Sequence, residues 1–218
     1  ICPSILNADR ENLPSEIARI ATQSDLLHLD VMDNIFVPNF TFTFEQSAKI
    51  ISESPIPVDS HLMIADPDDR AQLFAKAGSR SVTFHYEASS NPLETISKIA
   101  DEGARVGVAL KPGTPFHEIG SIMEHIDMVL IMTVEPGFGG QSFMGDMMDK
   151  VKEARREIDE RFFGKIWLQV DGGISLETIA EAAQSGADTF VAGSAVFKSD
   201  DPGGMVDELR ALASKSQA

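Results

Sequence analysis

The chain alternates, eight times over, a short β-branched or apolar run with a longer stretch of helical periodicity, and few folds accept that rhythm. The runs are ICPSIL (1–6), LLHLDVM (26–32), PVDSHLM (57–63), RSVTFHY (80–86), RVGVAL (105–110), MVLIMTV (128–134), IWLQVDG (166–172) and TFVAGSAV (189–196). Between them the periodicity predicts helices over 12–22, 44–53, 66–77, 91–102, 115–125, 144–161 and 176–185, with a last one over 203–215. Asp66-Pro67 and Asn91-Pro92 each set a capping side chain before a proline suited to the first helical position, and Gly78, Gly103 and Gly186 offer left-handed helix ends. The strand-to-strand interval, roughly 23–31 residues with one longer step before the seventh run, is that of βαβ units with right-handed crossovers. Eight such units without a linker or low-complexity stretch predict a single (β/α)8 TIM barrel, an eight-stranded parallel barrel over 1–218, slightly shorter than the ~250 residues typical of the fold. A doubly wound open sheet would carry a glycine-rich fingerprint after its first strand, where this chain has Asn7-Ala8-Asp9.

Charge narrows the partners. With 18 Lys+Arg against 34 Asp+Glu the formal charge is −16, so nucleic acid and anionic membranes find nothing to condense on. Small molecules or further copies of the chain, as a homo-oligomer, are the partners that remain. The longest apolar runs, such as MVLIM, are far too short to span a bilayer. One cysteine, Cys2, leaves no disulfide framework and no CxxC motif, and with no charged-then-apolar leader in the given sequence the expected compartment is cytoplasmic.

In a barrel strand alternate side chains point inward, and those at the C-terminal end face the active site. His28, Asp30 and Met32 then line the interior from the second run, Asp59, His61 and Met63 from the third, and Asp171 ends the seventh. Buried His and Asp can simply satisfy one another, which is the plainer reading of any one of them. Two histidines and two carboxylates meeting at one mouth weigh the other way, because inward charges are costly unless paired or metal-bound, and such a shell suits Zn2+, Fe2+, Mn2+ or Co2+. Glycines cluster at three strand ends on the same rim: Gly137, Phe138, Gly139 and Gly140 after the sixth, Gly172 and Gly173 after the seventh, Gly193 and Ser194 after the eighth. Glycine lets backbone N–H groups approach an anion, and this is where barrels hold phosphate. Met32, Met63 and Met132 fall on inward positions as a water-excluding cap, whereas Met147 and Met148 read as ordinary helix packing. His85 reads as a hydrogen-bonded support, His117 and His125 as surface residues, and Cys2 as small and buried.

The blocks PSILNAD, HLDVMDNIFVPN, HLMI, HYEA, VEPGFGGQSFM, VDGGI and AGSAVF stand in order, each at the end of a predicted strand. In this combination the chain resembles the ribulose-phosphate 3-epimerase family over essentially its whole length. The resemblance implies reversible 3-epimerisation of D-ribulose 5-phosphate to D-xylulose 5-phosphate, as in pentose phosphate and Calvin-cycle metabolism. It implies that His28, Asp30, His61 and Asp171 hold one divalent metal ion, and that Asp30 and Asp171 also move protons through a metal-stabilised enediolate. It further implies that Ser4, with His61 and Asp171, contacts the sugar phosphate while the glycine loops bind its phosphate. Asn34-Ile35 stands where the family usually has Gly and a polar or basic residue, Thr43 follows TF where glycine is common, and Ser60 replaces an apolar residue before His61. Asn tolerates left-handed backbone. These changes bear on the loop after the second strand and on sugar length, so a six-carbon ketose phosphate is the second substrate. A catalytically silent sugar-phosphate sensor on the same scaffold is the non-enzymatic alternative, and the intact ligand set argues against it. Barrels that decarboxylate or join sugar phosphates use Asp-x-Lys-x-x-Asp in the second strand, which here reads DVMD.

Overall fold

A computed structural model describes residues 1–217. Eight strands, β1 (Cys2–Pro3), β2 (Leu27–Met32), β3 (Val58–Met63), β4 (Ser81–His85), β5 (Arg105–Leu110), β6 (Met128–Met132), β7 (Trp167–Asp171) and β8 (Thr189–Ala192), pair in parallel in the order β1-β8-β7-β6-β5-β4-β3-β2. One parallel bridge, Ser4 to His28, spans the remaining seam between β1 and β2 and closes the barrel. Around it run α1 (Leu13–Ala18), α2 (Phe44–Glu53), α3 (Pro67–Lys76), α4 (Pro92–Ala100), α5 (Met148–Phe162), α6 (Ile179–Gln184), α7 (Ser194–Phe197) and α8 (Pro202–Ser216).

The period-two alternation sorts the core into two. Leu27, Leu29 and Val31 of β2, Val58 and Leu62 of β3, Val82 and Phe84 of β4 and their counterparts around the barrel join one large cluster packed against the helices. The alternate residues turn inward, where small clusters form: Ala109, Leu130, Met132 and Val134 on one wall, Met32, Val37 and Met63 on another, Cys2, Leu26 and Val191 at the floor. The register sets His28 beside Asp59, Asp30 beside His61 and Met32 beside Met63, so polar residues of adjacent strands stack in layers.

Several sequence expectations are corrected. The first run is strand only at Cys2–Pro3 and then coils into a 3-10 turn, Ile5–Asn7, because the Ser4 hydroxyl accepts from Leu6 N–H (3.2 Å) and ends the ladder. The helix expected over 12–22 is confined to Leu13–Ala18, following a separate 3-10 turn over Arg10–Asn12. The strand expected over 189–196 stops at Ala192, and the chain turns at Gly193 into α7. The helix expected over 115–125 is two 3-10 turns, Phe116–Ile119 and Met123–His125, interrupted at Gly120, whose flexibility penalises a continuous helix. His117 and His125 are exposed there, as expected.

Pro67 and Pro92 do open helices, but neither Asp66 nor Asn91 caps with its side chain; the Asn91 amide donates to Glu94 instead (2.8 Å). The acceptor at the start of α4 comes from the preceding helix. Asp68 takes the Ser89 hydroxyl (2.5 Å), the Ser90 N–H and hydroxyl (2.9 and 2.6 Å) and the Thr95 hydroxyl (2.6 Å). Gly78, Gly103 and Gly186 adopt positive φ (105°, 81° and 108°), the left-handed geometry expected of helix ends.

Because Asp68 gathers donors from the whole segment after β4, Asp68→Ala should lower unfolding free energy by roughly 1.5–3 kcal/mol, the range for hydrogen bonds to a charged group. Urea denaturation of both proteins checks it, and equal midpoints would contradict the clamp.

Candidate active site

Strand ends bring the candidate residues together at the C-terminal mouth. Ser4, Asp30, Met32, Met63, Met132, Gly137, Phe138, Gly139, Gly140, Asp171, Gly172, Gly173, Gly193 and Ser194 all line one pocket. His28 and His61 lie beneath it, wholly buried, and do not reach the open space. The three methionines are 1–2% exposed, Met132 on one apolar wall and Met32 with Met63 on another.

The donor atoms converge. His61 Nδ1 lies 3.2 Å from Asp30 Oδ1, 3.4 Å from Asp171 Oδ2 and 3.3 Å from His28 Nε2. His28 Nε2 lies 3.4 Å from Asp30 Oδ1 and 3.8 Å from Asp171 Oδ2. Four ligands held tetrahedrally at ~2.1 Å from one ion stand about 3.4 Å apart, so the cluster has the size of a single cation shell. One ligating atom from each residue falls within 4.8 Å of every other, so the group can hold a metal ion.

Electrostatics favour a cation in the same place. Burial alone would push the His28 imidazole down, but Asp30 and Asp59 outweigh it and hold its pKa well above the usual histidine value. His61 is raised in the same way, Asp171 and Asp30 overcoming burial. Burial works against ionised Asp30, yet the two imidazoles keep its carboxyl well below the usual range. The two carboxylates draw positive charge into the cluster, and a divalent ion would supply it.

The ligand atoms are set from behind. Asp59 accepts from His28 Nδ1 (2.9 Å) and is itself held by the Ser81 hydroxyl (2.6 Å) and the Gln169 amide (3.0 Å). His85 stands 3.0 Å behind His61, nitrogen to nitrogen, and meets Glu87 on its far side. Burial pushes the His85 imidazole down to about 4, so it is neutral near pH 7; burial opposes ionisation of Glu87 too, but bonds from His85, Thr114 and Lys111 N–H bring it to about 2. Ser4 donates to Asp30 Oδ2 (2.5 Å), and Thr41 donates to the Asp30 carbonyl while accepting from Met32 N–H.

The glycine rim is built for close approach. Gly172 and Gly173 take φ of 127° and 69°, and a Cβ on Gly173 would lie 2.5 Å from Phe143 N. Among the described residues no backbone carbonyl or side chain accepts from the N–H of Gly173, Gly193 or Ser194, which leaves these donors free. The β6 loop is fastened by Asn39, which donates to Gly137 O (2.8 Å), and by Gln141, which donates to the carbonyls of Glu135 (2.7 Å) and Phe138 (2.8 Å). Asn34 takes the left-handed φ of 60° its position requires. Cys2 is buried, and burial pushes its thiol up to about 11.

Asn7 lines the pocket although the reading of the sequence passes over it. Its carboxamide fills the space that a Cβ on Gly139 or Gly193 would need, at 2.5 and 2.7 Å. The available signal is spacing: Ser4 and Asn7 are three apart on a 3-10 turn with three residues per turn, and so share a face.

The sequence profile of the ribulose-phosphate 3 epimerase family matches residues 1–197. The chain is 46% identical over 213 residues to the ribulose-phosphate 3-epimerase of Mycobacterium leprae (strain TN), covering 98% of this chain and 94% of that one. It is 42% identical over 218 residues to that of Escherichia coli (strain K12), covering 99% and 96%. Among solved structures, 3-hexulose-6-phosphate synthase from Salmonella typhimurium superposes with a TM-score of 0.71 at 19% identity over 94% of each chain. KGPDC from Streptococcus mutans does so with a TM-score of 0.71 at 13% identity, covering 100% of each chain. These two share the barrel.

Each imidazole must give up a proton to bind a metal, and the carboxylates raise the pKa values of both. Affinity for Co2+ should therefore climb as pH rises from about 6 to 8 and weaken as it falls, because protons compete for the same nitrogens. Calorimetric titration across that range checks the sign; pH-independent affinity would contradict a site made of these histidines.

Proposed function

This chain belongs to the ribulose-phosphate 3-epimerase family, and from that premise we propose that it interconverts D-ribulose 5-phosphate and D-xylulose 5-phosphate. The observation that carries the reading is two carboxylates, Asp30 and Asp171, on strands β2 and β7, lining one pocket with a glycine rim. Inverting a carbon beside a carbonyl requires a proton to leave one face and another to arrive on the opposite face. One fixed base does this poorly; two carboxylates do it directly, Asp30 serving one face of C3 and Asp171 the other, with roles exchanged in reverse. Ser4, donating to Asp30 Oδ2, holds that carboxylate in place and meets the substrate from the same wall.

His28, Asp30, His61 and Asp171 would hold a divalent cation, Zn2+, Fe2+, Mn2+ or Co2+. When bound it supplies Lewis-acid stabilisation of negative charge on substrate oxygens, worth several kcal/mol. His61 would act at the metal rather than on the substrate, since it lies behind the pocket wall. Gly137, Phe138, Gly139, Gly140, Gly172, Gly173, Gly193 and Ser194 would receive the phosphate through backbone N–H groups, a local attraction needed inside a chain of charge −16. Met32, Met63 and Met132 would keep water from the planar intermediate. The same reading takes residues 1–218 as one barrel domain, Ala218 lying outside the described residues, and the protein as a cytoplasmic homo-oligomer. Among the described residues no helix is long and apolar enough to cross a membrane. Light scattering after size exclusion reads the oligomeric state.

A coupled assay of either ketopentose phosphate with metal-supplied protein tests the activity: turnover is expected, and none would overturn the assignment. His61→Ala should lose most bound metal, as dialysis and metal analysis would show, and retention at full stoichiometry would contradict the ligand set. Asp171→Asn, with metal occupancy verified, should exchange the C3 hydrogen of one epimer with deuterated solvent much faster than it epimerises that sugar. Asp30→Asn should favour the other epimer. Equal exchange of both epimers by each variant would replace two bases with a single mobile one.

A further inference from the structure

Glu87 lies on the 3-10 turn Tyr86–Ala88, just past the end of β4, and forms no part of the candidate ligand cluster. Its Oε1 accepts the Lys111 N–H (2.7 Å) and the Thr114 hydroxyl, and its Oε2 faces His85 Nδ1 at 3.3 Å. The Lys111 loop is itself secured by Lys150 Nζ, which donates to the Lys111 and Pro112 carbonyls (3.1 and 2.8 Å). An ionised carboxylate only accepts, so His85 must carry its proton on Nδ1 and present a lone pair at Nε2. That nitrogen is 3.0 Å from His61 Nε2, so His61 must donate there. A proton fixed on Nε2 leaves Nδ1, the atom that faces Asp30, Asp171 and His28, as the nitrogen His61 can offer to a cation. Asp59 does the same for His28 in one step, accepting at Nδ1 and leaving Nε2 as the ligating atom. The two histidines thus use opposite nitrogens, and each is oriented by a carboxylate, one directly and one at second remove.

We propose that Glu87 is a positioning residue for the metal centre: acting through His85, it fixes the His61 tautomer that offers Nδ1 to the cation. The proposal rests on the metal-binding reading above. It assigns Glu87 more than a role in holding its loop, and the two roles separate in Glu87→Gln. The Lys111 N–H and Thr114 hydroxyl both need an acceptor, so the new carbonyl stays with them and the amide NH2 faces His85. That reverses the relay: His85 accepts at Nδ1, donates from Nε2, and forces the proton of His61 onto Nδ1, where the cation should bind.

Cobalt titration of the full chain, followed by the visible spectrum, tests this. Glu87→Gln should raise the Kd for Co2+ by about 10–100-fold, the usual cost of losing an outer partner of a ligating histidine. In a His85→Phe background the same substitution should have no further effect, because the relay is already cut. Wild-type affinity in Glu87→Gln, or fold-changes that multiply in the double variant, would overturn the proposal and leave Glu87 as a loop anchor. Should His85→Phe fail to fold, 15N–1H correlation spectra of the wild-type imidazoles with Zn2+ bound decide alone. The proton of His61 is expected on Nε2; a proton on Nδ1 would overturn the relay. Absence of Co2+ binding by the wild-type protein would instead strike the metal-binding reading.

Discussion

Two imidazoles with no side-chain exposure face two carboxylates exposed by 4 and 16% across distances of 3.2–3.8 Å, and the top of the barrel is organised around satisfying them. A buried charge without a partner costs several kcal/mol, so a cluster of lone pairs and carboxylates is tenable only around positive charge. The carboxylates raise the pKa values of both imidazoles, and the spacing also fits a single cation shell. Asp59, Ser81, Gln169 and His85 are then buried polar residues with a purpose, and with Glu87 at the strand end each holds a ligand atom or the group that does.

The barrel interior divides accordingly. Strands β2, β3 and β4 supply most of the polar stack, while β5 and β6 contribute Ala109, Leu130 and Met132, an apolar wall across the mouth. Charge and water-excluding surface meet at one mouth, Met32 and Met63 standing on the same strands as His28, Asp30 and His61. Asp171 from β7 reaches the polar side from beside the β6 wall, Met132 being its register partner. A proton-transfer site needs both, since carboxylates act strongly where water is kept away. The glycine rim supplies attraction for an anion that the net charge of −16 would repel.

Much of this is legible in the sequence because strand periodicity is strict. Once LLHLDVM is read as a barrel strand, His28 and Asp30 must share a face, and the inside of the barrel is the only one with room for a site. What escapes that logic depends on local competition or on contacts between strands. Ser4 ends β1 by taking a backbone N–H, Gly120 divides a helical pattern, and Asp68 serves a helix start that Asn91 occupies in sequence. Asn7 is recognisable only once the 3-10 turn is known, and the link from Glu87 to His61 passes through a third side chain that no spacing reports. The ligand cluster is legible as a set but not as atoms: which nitrogen each histidine offers follows from the carboxylates behind it.

Anomalous diffraction from crystals grown with Co2+ tests the central claim most directly. The account predicts a single strong peak within bonding distance of His28 Nε2, His61 Nδ1 and one oxygen each of Asp30 and Asp171. A peak elsewhere, or an ion bound through His61 Nε2 with His85 displaced, would contradict it.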